Sequence, residues 1–148
     1  MDIPLPDWIR KLFLVHMIVA LAFGALFYLV PGRTLNVLGW VEDWVQLPDS
    51  ELSIPGGTFV DPVITRIAGA ALVALGFASW RGWRASSRKE VEFLIQAEAI
   101  FCVFSVGAFV AGLLFWERPM PFIGWIFALL FALFGAAWLW AMWPRRAS

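Results

Sequence analysis

Four apolar runs of about twenty residues or more constrain this chain more than any other feature of its sequence. A hydrocarbon core about 30 Å thick is crossed by roughly 20 mostly apolar residues in a helix rising 1.5 Å per residue. The runs cover about residues 12–30, 62–80, 91–116 and 121–143. Pro31-Gly32 stops the first, Asp61 and Pro62 open the second as N-cap and first helical residue, and Pro144 ends the fourth. Composition agrees. Hydrophobic residues make up 61% of the chain and charged residues 15%, against about 45–50% and 25% in soluble domains. The excess apolar surface calls for lipid. The expected fold is therefore all-α: one integral membrane domain, a four-helix bundle.

Charge sets the expected direction. With the N-terminus inside, the cytoplasmic pieces hold Arg10, Lys11, Arg81, Arg84, Arg88, Lys89, Arg145 and Arg146, eight of the 11 basic residues. Arg33 and Arg118 fall in the outer loops, and Arg66 within a span. Basic residues near span ends stay in the cytoplasm, so both termini are expected there. Lys11, the apolar stretch and Ala20-Leu21-Ala22 loosely fit a cleaved signal peptide. Apolar residues nevertheless continue to Val30, so a retained span is the stronger expectation. The basic inner loop, 81–90, offers Arg81, Arg84, Arg88 and Lys89 to anionic headgroups; retention of topology explains the same residues. The formal net charge of zero gives no reason to expect nucleic acid.

Helices in lipid associate mainly by close packing at small residues. Candidate strips are Ala20 and Gly24; Ala70, Ala74 and Ala78 with Gly69 and Gly76; Gly107 and Ala111 with Ala108 and Gly112; and Gly124, Ala128, Ala132 and Ala136. The short connections after spans two and three predict antiparallel neighbours. The outer loop, 31–61, is the one sizeable piece outside the spans. Val37, Trp40, Val41 and Trp44 have helical spacing, which predicts a short interfacial amphipathic helix over 34–47 with its Trp side toward lipid. Residues 48–57 read as loop.

Ionisable groups inside a span are costly, which makes them the candidates for function. Glu98 lies about seven residues into the third span, with Cys102 and Ser105 following on one face. It is a candidate proton carrier or ligand anchor, or a structural hydrogen-bonding group. His16, near the inner end of the first span, pairs with Glu98 if those spans are neighbours, with Gln96 or Glu92 close by. A lone histidine is a weak signal for an axial haem or chlorophyll ligand, so no cofactor is expected. Arg66 sits one turn inside the outer end of its span, an anchor that snorkels or pairs with Asp61. The single cysteine, Cys102, excludes an intramolecular disulfide and a cysteine metal cluster; in an apolar run it is a packing residue. No HExxH, CxxC, GxSxG or phosphate-binding glycine loop is present.

Pro31-Gly32, Leu35 and Leu38-Gly39, followed by Asp61, Arg66, Gly69-Ala70-Ala71-Leu72, Leu75-Gly76 and Trp80, resemble small bacterial four-span membrane proteins of uncharacterised function. The resemblance covers the first two spans and their loop. It implies a bacterial inner membrane and supplies no activity. The DoxX-like proteins share the architecture, but no motif here commits the chain to them. Three functions follow in order of expectation. The first is a structural or accessory subunit of a membrane complex, its partners being lipid and neighbouring subunits or further copies of itself. The second is a small transporter or binder of a hydrophobic ligand, quinone or lipid, using Glu98. The third is a membrane enzyme using Glu98 and His16.

Overall fold

The computed structural model describes residues 4–40, 44–46, 53–55, 62–115 and 121–143. Five helices and two short strands follow in the order α1 (Asp7–Leu29), α2 (Pro31–Val37), β1 (Trp44–Gln46), β2 (Ser53–Pro55), α3 (Pro62–Arg84), α4 (Arg88–Phe115) and α5 (Phe122–Met142). The four long helices are all long and apolar enough to cross a membrane. Only 22% of each one's most apolar stretch is buried within the protein. Large apolar side chains on these helices, including Phe93, Phe104, Leu129 and Leu133, are exposed and suited to lipid. This is a multi-pass membrane protein.

α1 packs along α3, and α4 along α5; contact between the two pairs is sparser. Sequence neighbours α3 and α4 were expected to pair through their short connection. They do meet, yet α3's main partner is α1. Glycine explains the preference. A Cβ at Gly69 would lie 2.7 Å from the Tyr28 nitrogen and 2.8 Å from the Gly24 oxygen, so the two backbones touch at this point. Gly76 receives Leu21 and Gly82 receives Phe13 in the same antiparallel seam. Ala20 and Gly24 pack inward as expected. The alanine strips do not. Ala70, Ala74, Ala132 and Ala136 are exposed, as are Gly107, Ala108 and Ala111. Four-residue spacing marks a face of a helix but not whether that face meets a neighbour.

The N-terminal end of the bundle is tightly closed. Ile9, Phe13, Val91, Ile95, Ala99, Cys102 and Trp138 are buried together, and Phe13 lies against Trp138 at 4.8 Å between ring centroids. Polar groups secure the chain ends here. Leu5 donates its N–H to Ser86 O, and Arg10 donates from Nε and Nη2 to Ala85 O. Glu90 caps the start of α4: its Oε1 accepts from the Ser87 N–H, the Glu-to-N-cap half of a capping box, and from the Ser86 and Ser87 hydroxyls. Arg88 Nη2 donates to Ala141 O at 2.7 Å and to Met142 O at 3.2 Å, satisfying carbonyls at the end of α5. Arg88 was expected to serve headgroups and is instead engaged by the protein. Arg88→Ala should cost about 1 kcal/mol and be read as earlier thermal unfolding in detergent, while Lys89→Ala, on an exposed side chain, should change nothing measurable.

The basic stretch 81–90 is largely helical, not a loop: α3 runs to Arg84 and α4 begins at Arg88. Arg84 stacks over Trp80 at 5.7 Å, and Arg81 and Lys89 are exposed.

At the far end the short helix expected in the outer loop is present, but as α2 it spans Pro31–Val37 and not 34–47. Thr34 joins it to α1 by donating its hydroxyl to Leu26 O and Val30 O. Gly39 then ends it at φ 73°, with Gly39 N donating to Asn36 O and Trp40 N to Leu35 O. These two bonds are the Schellman termination, for which glycine is the favoured residue because it has no Cβ to clash. Trp44 is consequently not on the helix. It opens β1, which pairs antiparallel with β2, so part of 48–57, expected as loop, is strand. Asp61, expected as the N-cap of α3, lies outside the described residues.

Candidate functional site

Three polar side chains meet in the bundle interior. His16 is on α1, Ser79 on α3 and Glu98 on α4, so three of the four spans contribute one group each. At 1.5 Å per residue, His16 stands about 14 Å from the start of α1 and Glu98 about 15 Å from the start of α4; the two depths match. Ser79 Oγ donates to Glu98 Oε1 at 2.9 Å, and His16 Nδ1 lies 2.9 Å from Ser79 Oγ and 3.3 Å from Glu98 Oε1. Glu98 is 1% exposed, Ser79 0% and His16 4%. The set is sealed from the lipid face.

With Glu98 ionised and His16 neutral, the bonding order selects one tautomer. Serine has one hydroxyl proton, and it points at the carboxylate. The bond between His16 and Ser79 therefore takes its proton from Nδ1. Nε2 makes no hydrogen bond among the described residues. Around this ring, Phe134 sits edge-on at 5.1 Å and Trp138 at 6.0 Å. Glu98 Oε2 and Trp138 Nε1 are buried without a partner among the described residues.

His16 also forms part of a cavity wall. A cavity of about 210 Å³ lies between the two helix pairs. α1 contributes His16, Val19, Ala20, Phe23 and Phe27; α5 contributes Phe127, Leu130, Phe131 and Phe134; Leu35, Trp40, Leu72 and Phe109 complete it. From His16 to Phe27 it follows α1 for roughly 17 Å at the helical rise. Phe23 and Phe127 meet across it at 5.0 Å between centroids. The wall is apolar except at its two ends, His16 toward the N-terminal half and the Trp40 indole near α2. Its origin is geometric. Glycine draws α1 against α3, and bulky aromatics on α1 and α5 hold the pairs apart beyond the closed N-terminal core.

The expected site residues divide accordingly. Glu98 and His16 come together as anticipated, but Gln96 and Glu92 are exposed and take no part. Ser79 bridges in their place. Its sequence signal was a hydroxyl near the inner end of the second span, at a depth compatible with His16. Cys102 is buried against Gly135 of α5, 3.3 Å from the position a Cβ there would occupy, as a packing residue. Ser105 is half-buried one turn further along and stands outside the hydrogen-bonded set. Arg66 is exposed toward the far end of α3 and joins no ion pair among the described residues. Trp40, expected to lie on the membrane surface, turns into the cavity wall because Gly39 reverses the chain just before it. Among the described residues, no group of three or more His, Cys, Asp or Glu side chains is placed to hold a metal ion. Compared with models of known families, with characterised proteins and with solved structures, the chain matches none.

Proposed function

We propose that this protein binds, and moves within the membrane, a small lipid-soluble ligand held between its two helix pairs. One observation carries the reading: His16 stands on the wall of an aromatic cavity while its Nδ1 is anchored from behind by Ser79 and Glu98. An apolar cavity with a few placed polar groups is the usual form of a small-molecule site. A buried ionisable pair in a span is expensive unless it serves such a site or the packing itself. The distribution of basic residues supports an orientation with both termini in the cytoplasm, and the resemblance to small bacterial four-span proteins suggests a bacterial inner membrane.

Gentle purification from native membranes, followed by organic extraction and mass spectrometry, tests the proposal. A lipophilic compound enriched well above the bulk lipid background is expected. Leu130→Trp, which fills the cavity from α5, should reduce the retained compound roughly tenfold, a loss of about 1.4 kcal/mol of binding. An extract indistinguishable from bulk lipid in both proteins would sink the idea.

Membership in a larger membrane complex, or self-association, is the second reading. It is favoured by the small-residue strip of α4, where Gly107, Ala108 and Ala111 are exposed and unused by the bundle. Native-gel sizing of the same preparation separates the two, since a protein that migrates alone at monomer mass is no subunit.

A further inference from the structure

The ligand class can be narrowed from the hydrogen-bonding state of His16, and this step rests on the cavity reading above. We infer that the cavity takes an aromatic headgroup bearing a hydroxyl, a hydroquinone or phenol on an apolar tail, with the ring hydroxyl donating to His16 Nε2.

Size comes first. An apolar cavity of about 150 Å³ lined by Leu, Ile and Phe binds benzene. The 210 Å³ here accommodates a substituted aromatic ring. Wall chemistry comes second. Phe23, Phe127, Phe131 and Phe134 offer ring faces and edges against which an aromatic headgroup packs better than a saturated chain. The cavity continues along α1 toward Leu35 and Trp40, which leaves the tail an apolar path.

Polarity comes third and decides between ring types. When Glu98 is ionised it accepts from the Ser79 hydroxyl, and a neutral His16 then carries its own proton on Nδ1. Nε2 is then an acceptor with no donor among the described residues. A ligand hydroxyl satisfies it. A ligand that presents only carbonyl oxygens, such as the corresponding quinone, faces acceptor with acceptor and gains nothing. Ser79 and Glu98 do not touch the ligand in this arrangement; they are positioning residues that hold the tautomer.

The test uses the full-length protein in detergent micelles and follows quenching of tryptophan fluorescence, Trp40 being on the wall. Three probes share one decyl tail: decylhydroquinone, decylquinone and decylbenzene. Decylhydroquinone is expected to bind at least about tenfold more tightly than the other two, since a site built to pair a hydroxyl discriminates against analogues that lack it. His16→Phe keeps an aromatic ring on the wall and should bring decylhydroquinone down to the affinity of decylbenzene, with decylbenzene itself unchanged. Equal binding of all three probes by the native protein, or tighter binding of the quinone, overturns the headgroup assignment and leaves the cavity reading standing. Binding of none of them removes both. The comparison within the native protein decides the matter even where His16→Phe fails to fold.

Discussion

Gly69→Ala should be among the most damaging single-methyl additions this protein can suffer. A Cβ there meets Tyr28 N at 2.7 Å, Gly24 O at 2.8 Å and Phe27 C at 3.1 Å, all backbone atoms of α1. No side chain can rotate away, so the helices must separate along their whole seam. Overpacking of this kind costs about 1–3 kcal/mol and sometimes more, and backbone contact places it at the upper end. Gly24→Ala, whose Cβ would meet Gly69 O and Val73 N at 2.9 Å, should behave alike. Gly107→Ala is the control. Nothing lies within 4 Å of its added methyl, and alanine is favoured over glycine in a helix by about 1 kcal/mol. Thermal unfolding in detergent should therefore move down by many degrees for Gly69→Ala and stay level or rise for Gly107→Ala. Equal stability of the two variants would mean that α1 and α3 do not approach as described.

Glu98→Ala should be the second large effect. It removes the shared acceptor of Ser79 and His16 and leaves the two buried side chains with only each other. A hydrogen bond to a buried charged group is worth about 1.5–3 kcal/mol in soluble proteins. Interhelical hydrogen bonds in membranes are weaker, averaging about 0.6 kcal/mol with a maximum near 1.7, so about 2–4 kcal/mol is expected for the combined loss with its cavity. Glu98→Gln retains an acceptor for Ser79 at nearly the same volume and should cost about 1 kcal/mol. Glu92→Gln, one and a half turns earlier and exposed, should be silent. Chemical unfolding of the four proteins in one detergent gives the ranking. A silent Glu98→Ala would mean that the carboxylate is not in the hydrogen-bonded set. Under the ligand-binding reading, Glu98→Gln should also release the retained compound while the fold survives; under a purely structural one, retention and stability should fall together or not at all.

The spans and their number were legible from one-dimensional information because their cause is one-dimensional. A bilayer requires about twenty apolar residues in a row and internal satisfaction of every backbone group, which leaves the helix as the form such a run takes. The end of α2 was legible as well, in Leu38-Gly39, but the amphipathic spacing of Trp40 and Trp44 was followed through the glycine. Backbone termination outranks side-chain periodicity there, since Schellman geometry at Gly39 satisfies carbonyls that a stripe cannot.

Glu98 and His16 were visible as candidates because cost alone singles them out: an ionisable group in hydrocarbon needs a reason. Their bridge was not visible. Ser79 is one hydroxyl among several in the chain, and its value arises from α3 lying between α1 and α4 at that depth. The cavity was equally beyond reach. It depends on which faces meet, and lipid removes the polar–apolar contrast by which a soluble helix announces its buried side. Gly69 and Ala70 look interchangeable as small residues in a row. One touches the backbone of α1 and the other faces outward, a distinction set by helix rotation, which packing against a particular neighbour determines.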